Sequence, residues 1–229
     1  MLLDGNHYGG RVTSLVVLGI VLAMCNSSPA AAADSETREF VVSIDGKKAG
    51  EFHMSVKQQD DGTMVMNGHA DVKISYLVYN YTYSYRGTEI WKDGRLQRLF
   101  SNANDNGKKL SVMATGDGDS LRITANGQQR KSRPDLWTTT YWHLADAKFR
   151  NRGVPLLDAD TGKEIAANLQ HVGTSQINVN GSAQNCAHYR VTGRGVQADL
   201  WYDSQERLVR QESIEDGHKT LLELSRIRR

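Results

Sequence analysis

Several residue types are scarce in this sequence, and each scarcity excludes a class of protein. Two cysteines among 229 residues are too few for a disulfide-stapled scaffold or a structural zinc module. Three prolines exclude a Pro-rich linker protein. Neither sign of charge is in large excess, because the chain has 28 Lys and Arg residues and 26 Asp and Glu residues, which gives a net charge of +2. A dedicated nucleic-acid binder normally carries a concentrated basic excess, so no nucleic acid is expected as a partner.

Long apolar runs are also scarce, and the one at Val12–Met24 has the features of a secretory signal. It is too short for a permanent membrane helix, which needs about twenty residues. A basic residue precedes it, and a run of alanines supplies a small-x-small site for cleavage near Ala33. We therefore expect residues 1–33 to be a signal peptide. Residues 34–229 then form a periplasmic or secreted protein with no transmembrane span.

A second route to the cell envelope stays open at Cys25. The stretch Leu22-Ala23-Met24-Cys25 resembles a bacterial lipobox, which would make the protein an outer-membrane lipoprotein anchored through that cysteine. Met24 departs from the pattern, which prefers a small residue at that position. After cleavage near Ala33, Cys186 is the one cysteine left, so no intramolecular disulfide can form. Such a lone thiol is usually buried and inert.

Turn chemistry dominates the rest of the chain and predicts a mainly β fold. Asx-Gly pairs suit tight hairpins because both residue types tolerate a positive φ, and they occur at 45–46, 61–62, 93–94, 106–107, 117–118, 126–127, 180–181 and 216–217. Between them we expect strands at 40–44, 51–56, 64–72, 74–91, 95–103, 109–115, 120–125, 187–192, 197–203, 207–214 and 219–227. Consecutive strands joined by tight turns pair antiparallel. The sequence therefore predicts one domain with a single curved antiparallel sheet, a half-barrel or open barrel of roughly ten strands.

One stretch interrupts the strand pattern. Apolar residues recur at helical spacing between Trp137 and Phe149, after Pro134 and before Gly153. This predicts a short helix near 135–149 that packs across the open face of the sheet, with its apolar stripe in the core. Residues 150–170 read as a loop and an irregular hairpin.

The most distinctive patch is a row of tyrosines. On a strand, Tyr79, Tyr81, Tyr83 and Tyr85 point to one face. Such a row, with Trp137 and Trp142 as further wall and plug residues, suits the wall of a ligand groove or a partner-binding face. The alternative is that tyrosines favour strands and cover a half-buried face. Both interpretations stay open.

Motifs of catalysis and cofactor binding are missing. Cys186 and His188 share a strand face, but no cysteine-protease signature surrounds them, and their proximity is interpreted as incidental. The histidines lack metal-ligand spacing, and no nucleophile elbow, P-loop or dinucleotide-binding motif occurs. Carboxylates beside aromatic residues occur at Glu89, Asp93, Asp199 and Asp203, where glycan chemistry is one interpretation. Asp93 is better explained as the first residue of its turn, and the nearby Trp91 and Trp201 as core residues. We expect no catalytic residue, no metal and no cofactor.

A family resemblance rests on the spacing of turns and aromatic residues. The residues that carry it are Glu89-x-Trp91-x-Asp93-Gly94-x-Leu96, Asp105-Asn106-Gly107, Tyr141-Trp142, Asp199-Leu200-Trp201-Tyr202-Asp203 and Leu208-Val209. In this order they resemble an uncharacterised group of exported bacterial all-β proteins, which is distantly similar to the lipoprotein-localisation carriers. In those carriers a curved sheet wraps an apolar cavity, and helical segments plug the opening. The resemblance implies an envelope protein that holds an acyl chain or another apolar ligand.

Two functions follow as hypotheses. The first is a non-enzymatic periplasmic protein that binds a lipid-like or other apolar ligand, or a lipidated partner. The second is a structural or interaction subunit of an envelope assembly, with a core filled by its own side chains and an exposed sheet edge that pairs with a partner. An envelope hydrolase ranks last, because no nucleophile signature supports it.

Overall fold

The computed structural model describes residues 35–76, 79–179, 181–215 and 217–229. All of them belong to one compact unit, Ala32–Arg229. The predicted signal peptide, residues 1–33, and the lipidation site at Cys25 lie outside the described residues. No helix in the described ranges is long and apolar enough to cross a membrane.

Strands make up nearly all of the described structure, and one 3₁₀ helix occurs at Ala147–Phe149. The strands are β1 (Ser35–Ile44), β2 (Lys47–Gln58), β3 (Met64–Tyr76), β4 (Tyr79–Lys92), β5 (Arg95–Asp105), β6 (Lys108–Asp117), β7 (Ser120–Ala125), β8 (Gln128–Ser132), β9 (Trp137–Thr138), β10 (Arg152–Leu157), β11 (Glu164–Val179), β12 (Ser182–Gly193), β13 (Val196–Tyr202), β14 (Leu208–Glu215) and β15 (His218–Arg228).

All strands belong to one 15-stranded sheet with the order β8-β7-β6-β5-β4-β3-β2-β1-β15-β14-β13-β12-β11-β10-β9. Neighbours pair antiparallel except β9 and β10, which are parallel. The first and last strands pair in the middle of the sheet, so the chain runs outward to β8, crosses to β9 and runs back. The predicted single antiparallel sheet is confirmed, with more strands than expected. Within the described ranges β8 and β9 are the free edges, so the sheet is open.

Four of the predicted Asx-Gly turns have positive φ at both residues. These are the turns that begin at Asp45, Asp93, Asn106 and Asn126, where φ lies between 48° and 51° and the following glycine is also positive. Two positive φ angles in a row define the hairpin turn whose twist matches that of the flanking strands. The turns therefore fix the register of four hairpins.

The sheet curves around one stretch of chain. The Arg38 guanidinium of β1, the Ser101 hydroxyl of β5 and the Tyr202 hydroxyl of β13 each donate to a backbone carbonyl within residues 136–163. Strands so far apart in the sheet can reach the same stretch only if the sheet wraps around it. We call residues 136–145 the interior segment and residues 158–163 the interior turn.

The β8 edge of the curved sheet approaches the β10–β11 hairpin without backbone pairing. Arg130 of β8 donates to the backbone oxygen of Gly162 and forms an ion pair of 3.1 Å with Glu164 at the start of β11. Side chains therefore bridge the gap, which gives the open sheet a barrel-like form.

The predicted helix at 135–149 is wrong, because only Ala147–Phe149 forms a turn of 3₁₀ helix. Trp137 pairs in the sheet with Leu156, and Tyr141 has a φ of 49°, which no helix contains. The threonines at 138–140 are β-branched and disfavour a helix. The apolar residues of this stretch are nevertheless core, as expected.

Candidate functional site

The inner face of β4 carries the most unusual combination of side chains in the described structure. Alternate residues of a strand share a face, and here that face holds the side chains of Tyr81, Tyr83, Tyr85, Glu89 and Trp91, with Gly87 between Tyr85 and Glu89. A carboxyl group thus lies in line with tyrosines and a tryptophan, against the interior segment.

Glu89 is fully buried, with 0% of its surface exposed, and four side chains donate to it. Its Oε2 accepts from Trp91 Nε1 at 2.7 Å, Trp142 Nε1 at 3.0 Å and Thr138 Oγ1 at 3.0 Å, and its Oε1 accepts from Thr140 Oγ1 at 2.6 Å. Three of these donors belong to the interior segment. Glu89 therefore ties that segment to β4.

Burial raises the pKa of Glu89, and the four hydrogen bonds lower it in part. His143 lies beside this cluster, with its ring edge-on to Trp91 at 4.7 Å and to Trp142 at 4.3 Å. Burial lowers the pKa of His143 to about 4, so this imidazole is neutral at pH 7. Its Nε2 has no partner among the described residues. The cluster thus contains two titratable groups, Glu89 and His143, but it has no opening to solvent at Glu89.

The interior turn forms a second attachment. The Tyr83 hydroxyl donates to Asp160 Oδ2 at 2.7 Å, and the Ser101 hydroxyl donates to the Ala159 carbonyl at 2.5 Å. Burial and nearby carboxylates raise the pKa of Asp160, the bond from Tyr83 lowers it, and the net value is about 6. Burial also raises the pKa of Tyr83, so its hydroxyl remains a donor.

A charged network forms the third attachment. Arg38 donates from Nη1 to the Trp142 carbonyl at 2.7 Å and pairs with Glu36 at 2.5 Å. Arg207 joins Glu36 at 3.0 Å to Asp203 at 2.6 Å. Each guanidinium in this network has a carboxylate partner, so the interior segment is held by satisfied charges.

Five of the six predicted wall and plug residues have described side chains, and three of these are buried. Trp137 and Trp142 are 2% and 3% exposed, and Tyr85 is also buried. Tyr81 and Tyr83 are partly buried and pack against the core. Tyr79 lies in β4, and its side chain is outside the described residues. The structure therefore brings Tyr81, Tyr83, Tyr85 and both tryptophans into one interior.

The other residues considered in the sequence have structural partners. The Cys186 thiol is buried and donates to the Gln184 carbonyl at 3.7 Å, and burial raises its pKa. His188 is bound to Asp199 at 2.6 Å and stacks on Trp201 at 4.4 Å. The thiol and the imidazole are thus directed at other groups. As a thiolate is the nucleophilic form, this arrangement does not activate the cysteine.

The remaining carboxylates have turn or surface roles. Asp93 is the first residue of a tight turn with φ of 51°, and Asp203 accepts from the backbone N–H groups of Gln205 and Arg207. Trp91 and Trp201 are buried, as their interpretation as core residues predicts.

Two histidines meet on the outer face of the sheet. The rings of His53 and His69, on neighbouring strands, stack at 5.0 Å. Among the described residues, no three His, Cys, Asp or Glu side chains are grouped as they would be around a metal ion.

Two open depressions, of about 290 and 260 Å³, lie at the surface. The first is lined by Asp71, Lys73 and Thr82 together with Tyr83 of the inner row, and the second by His53 and His69 with their neighbours. Both are shallow parts of the surface, so neither reaches Glu89.

Asp160 gives the first testable prediction, a pH-dependent stability. Its pKa is about 6 in the folded chain and about 3.9 in an unfolded one. The folded state therefore binds the proton of Asp160 more tightly than the unfolded state does. The contribution of Asp160 to the free energy of unfolding is fully present below pH 4 and is lost as pH rises to 6. Asp160→Asn keeps the bond from Tyr83 and removes the titration. We expect the difference in unfolding free energy, wild type minus variant, to fall by about 2 kcal/mol between pH 4 and pH 7.

Urea denaturation at pH 4, 5, 6 and 7 measures this difference. His143 acts in the opposite direction, because its pKa of about 4 makes stability rise as pH increases towards 6.5. Taking the difference between the two proteins cancels this contribution. A difference that stays constant over the range contradicts the prediction.

The sequence did not identify Glu89 and Asp160 as parts of the interior. The one signal for Glu89 was its position on the strand: it is an even number of residues from Tyr81, Tyr83 and Tyr85, and such residues share a face of the strand. Asp160 gave no such signal, because it lies in a turn that reaches β4 only through the curvature of the sheet.

Comparison with known proteins agrees with this fold. A profile described as "Domain of unknown function (DUF6134)" matches residues 40–225. A crystal structure of a "Beta-barrel-like Protein of Domain of Unknown Function DUF1849 from Brucella abortus" matches with a TM-score of 0.63. It covers 84% of this chain and 96% of that chain at 7% identity, which shows likeness of fold alone. No curated protein matches. The relation to lipoprotein-localisation carriers stays a prediction.

Proposed function

Because this chain belongs to the DUF6134 family, whose description assigns no activity, we propose a function from its own geometry: a non-enzymatic interaction module of the cell envelope. Its sheet is filled by its own chain, and its outer surface or free edge binds a partner. The family match and the structural likeness support a domain of unknown function with a barrel-like fold.

The filled interior is the single observation that carries the proposal. Trp137, Trp142 and Tyr141 occupy the concave face and are almost fully buried, and Glu89 attaches their segment to β4 through three hydrogen bonds. An apolar ligand normally needs a concave, largely preformed pocket. Here side chains of the protein take that place.

The absence of catalysis is part of the proposal. Glu89 and His143, the two inward groups with perturbed pKa values in the cluster, are buried, and a substrate could not reach them without displacing the interior segment. The location in the envelope rests on the secretory signal predicted at residues 1–33, with lipidation at Cys25 as the alternative route.

A second candidate is the binding of a lipid-like or other apolar ligand, or of a lipidated partner. The observation that favours it is the half-buried state of Tyr81 and Tyr83, which leaves one end of the aromatic row less covered than Tyr85. Such a ligand would enter there, and deeper binding would require the interior segment to move.

Native mass spectrometry of the full chain, expressed and purified gently from its native envelope, separates the two. We expect a protein mass without bound lipid, because the interior is occupied. The same spectrum reports cleavage near Ala33 or lipid attachment at Cys25. A co-purifying lipid that is lost in Tyr83→Ala but kept in the control Thr88→Ala, on the outer face of the same strand, would replace the filled-core proposal with ligand binding.

A further inference from the structure

The outer face of β5 and β6 exposes two large apolar side chains next to each other. Phe100 is 46% exposed and Met113 is 51% exposed, and the two residues are direct cross-strand partners. In the described part of the chain, Val172 and Ile214 are the other large apolar side chains exposed to this degree. Those two lie on β11 and β14, away from this pair.

A row of cations runs beside the apolar pair. Arg98, Arg122 and Lys131 lie in one cross-strand row through Thr115, two residues along the strands from Phe100 and Met113. Residues two apart on a strand share a face, so these side chains border the apolar pair.

One more cation lies on the same face, towards the start of β6. Lys109 lies four residues before Met113 on the same face of β6. Arg122 is paired with Asp117 at 2.7 Å. Within the described ranges, Arg98, Lys109 and Lys131 form no ion pair. The face therefore carries an excess of positive charge, although the whole chain has a net charge of only +2.

Other parts of the outer face differ in this respect. Arg210 pairs with Glu212 and Glu223, and Arg190 pairs with Asp199. Cations in the far half of the sheet are partly neutralised in this way, although Arg152 and Arg194 form no ion pair within the described ranges. The β5–β8 half differs because its unpaired cations lie on the same face as two exposed apolar side chains.

We propose that this basic face docks onto an anionic lipid bilayer. The basic face is defined by Arg98, Phe100, Lys109, Met113, Arg122 and Lys131. Exposed apolar side chains enter the boundary between headgroups and acyl chains, and nearby cations bind the anionic headgroups. The inference rests on the proposed function in one respect: a filled sheet leaves its outer surface for binding.

A bilayer explains both features of the face. Two exposed apolar side chains are too few for the core of a stable protein–protein interface, which buries about 800 Å² on each partner. A soluble polyanion would use the cations and leave Phe100 and Met113 in water. An anionic bilayer contacts both.

Vesicle co-sedimentation of the mature chain, residues 34–229, tests the proposal. We expect binding at least about tenfold tighter to vesicles of phosphatidylcholine mixed with phosphatidylglycerol than to phosphatidylcholine alone, weakening as salt increases. R98E/K131E is expected to lose at least about tenfold in affinity. F100S/M113S is expected to lose about tenfold as well.

Matched controls come from elsewhere on the same chain. R152E/R194E changes the net charge equally at exposed positions, and V172S/I214S removes the other two exposed apolar side chains. Both controls should bind within about threefold of the wild type. Thermal unfolding of each variant confirms that the fold is kept, since all substituted side chains lie on the surface.

Three results would overturn the proposal: no vesicle binding, equal binding to neutral vesicles, or an equal loss in the controls. Heparin binding that matches vesicle binding and ignores F100S/M113S would identify a soluble polyanion as the ligand instead. A lipid-free mass together with absent vesicle binding would remove this docking surface and leave the filled-core function standing.

Discussion

Replacing Glu89 with alanine is expected to lower the free energy of unfolding by about 4 kcal/mol. The change leaves two indole N–H groups and one threonine hydroxyl without an acceptor in a buried site, since Thr138 and Thr140 lie 2.9 Å apart and one hydroxyl can donate to the other. Each unsatisfied buried donor costs about 1 kcal/mol or more. It also leaves a cavity between β4 and the interior segment. Urea denaturation followed by tryptophan fluorescence measures the loss, because Trp91 and Trp142 report on the site directly.

Glu89→Gln separates the loss of acceptors from the loss of charge. The glutamine oxygen can replace Oε2 and accept from Trp91, Trp142 and Thr138, while the Thr140 hydroxyl rotates to accept from the new amide. Glutamine also removes the cost of a buried charge. We therefore expect Glu89→Gln to change stability by about 1 kcal/mol or less.

The control is Glu223→Ala, which removes a carboxylate that is about half exposed. Surface pairs contribute about 0 to 1 kcal/mol. A loss for Glu89→Ala no larger than for Glu223→Ala would show that Glu89 does not hold the interior segment. The same result would weaken the proposed filled-core function.

The strands that the sequence predicted are those with one apolar face and Asx-Gly turns. In β1 the buried residues alternate from Arg38 to Ile44. A period of two of this kind can be recognised in the sequence alone. The strand segments at 171–179 and 182–186 were not predicted. Their residues, in β11 and β12, are largely exposed on both faces, so no apolar alternation marks them.

The incorrect helix shows how tertiary contacts override local spacing. Trp137, Tyr141 and Leu144 recur at helical intervals, yet they are buried because the sheet closes over them from both sides. Spacing alone cannot distinguish an amphipathic helix from an irregular segment that is buried all round. The sequence therefore identified the right core residues with the wrong secondary structure.

Only the part of the site that lies on β4 was predicted from the sequence. The row of Tyr81, Tyr83 and Tyr85 follows from strand parity. The contacts from Thr138 to Glu89 and from Tyr83 to Asp160 join residues 49 and 77 positions apart. Such pairs depend on how a 15-stranded sheet curves, which no local pattern encodes.

Gly87→Ala is expected to lower the free energy of unfolding by about 3 kcal/mol, although alanine adds only one methyl group. The new Cβ would lie 2.1 Å from the Tyr85 hydroxyl oxygen and 2.6 Å from Cζ of the same ring. The Tyr85 ring is buried, so it cannot swing into solvent, and neighbouring core residues must move. Gly153→Ala is the matched control, because its Cβ would meet only the Ala167 oxygen at 3.8 Å.

Tyr85→Phe tests the cause of that loss. The Tyr85 hydroxyl is buried without a hydrogen-bond partner among the described residues, so its removal alone should be neutral or slightly stabilising. In Gly87→Ala/Tyr85→Phe the contact at 2.1 Å disappears while the one at 2.6 Å remains. We expect the double variant to recover about 1 kcal/mol relative to additive behaviour. If the two single-variant losses simply add, the Tyr85 ring does not pass over Gly87. The presence of a glycine between Tyr85 and Glu89 on β4 would then need another explanation.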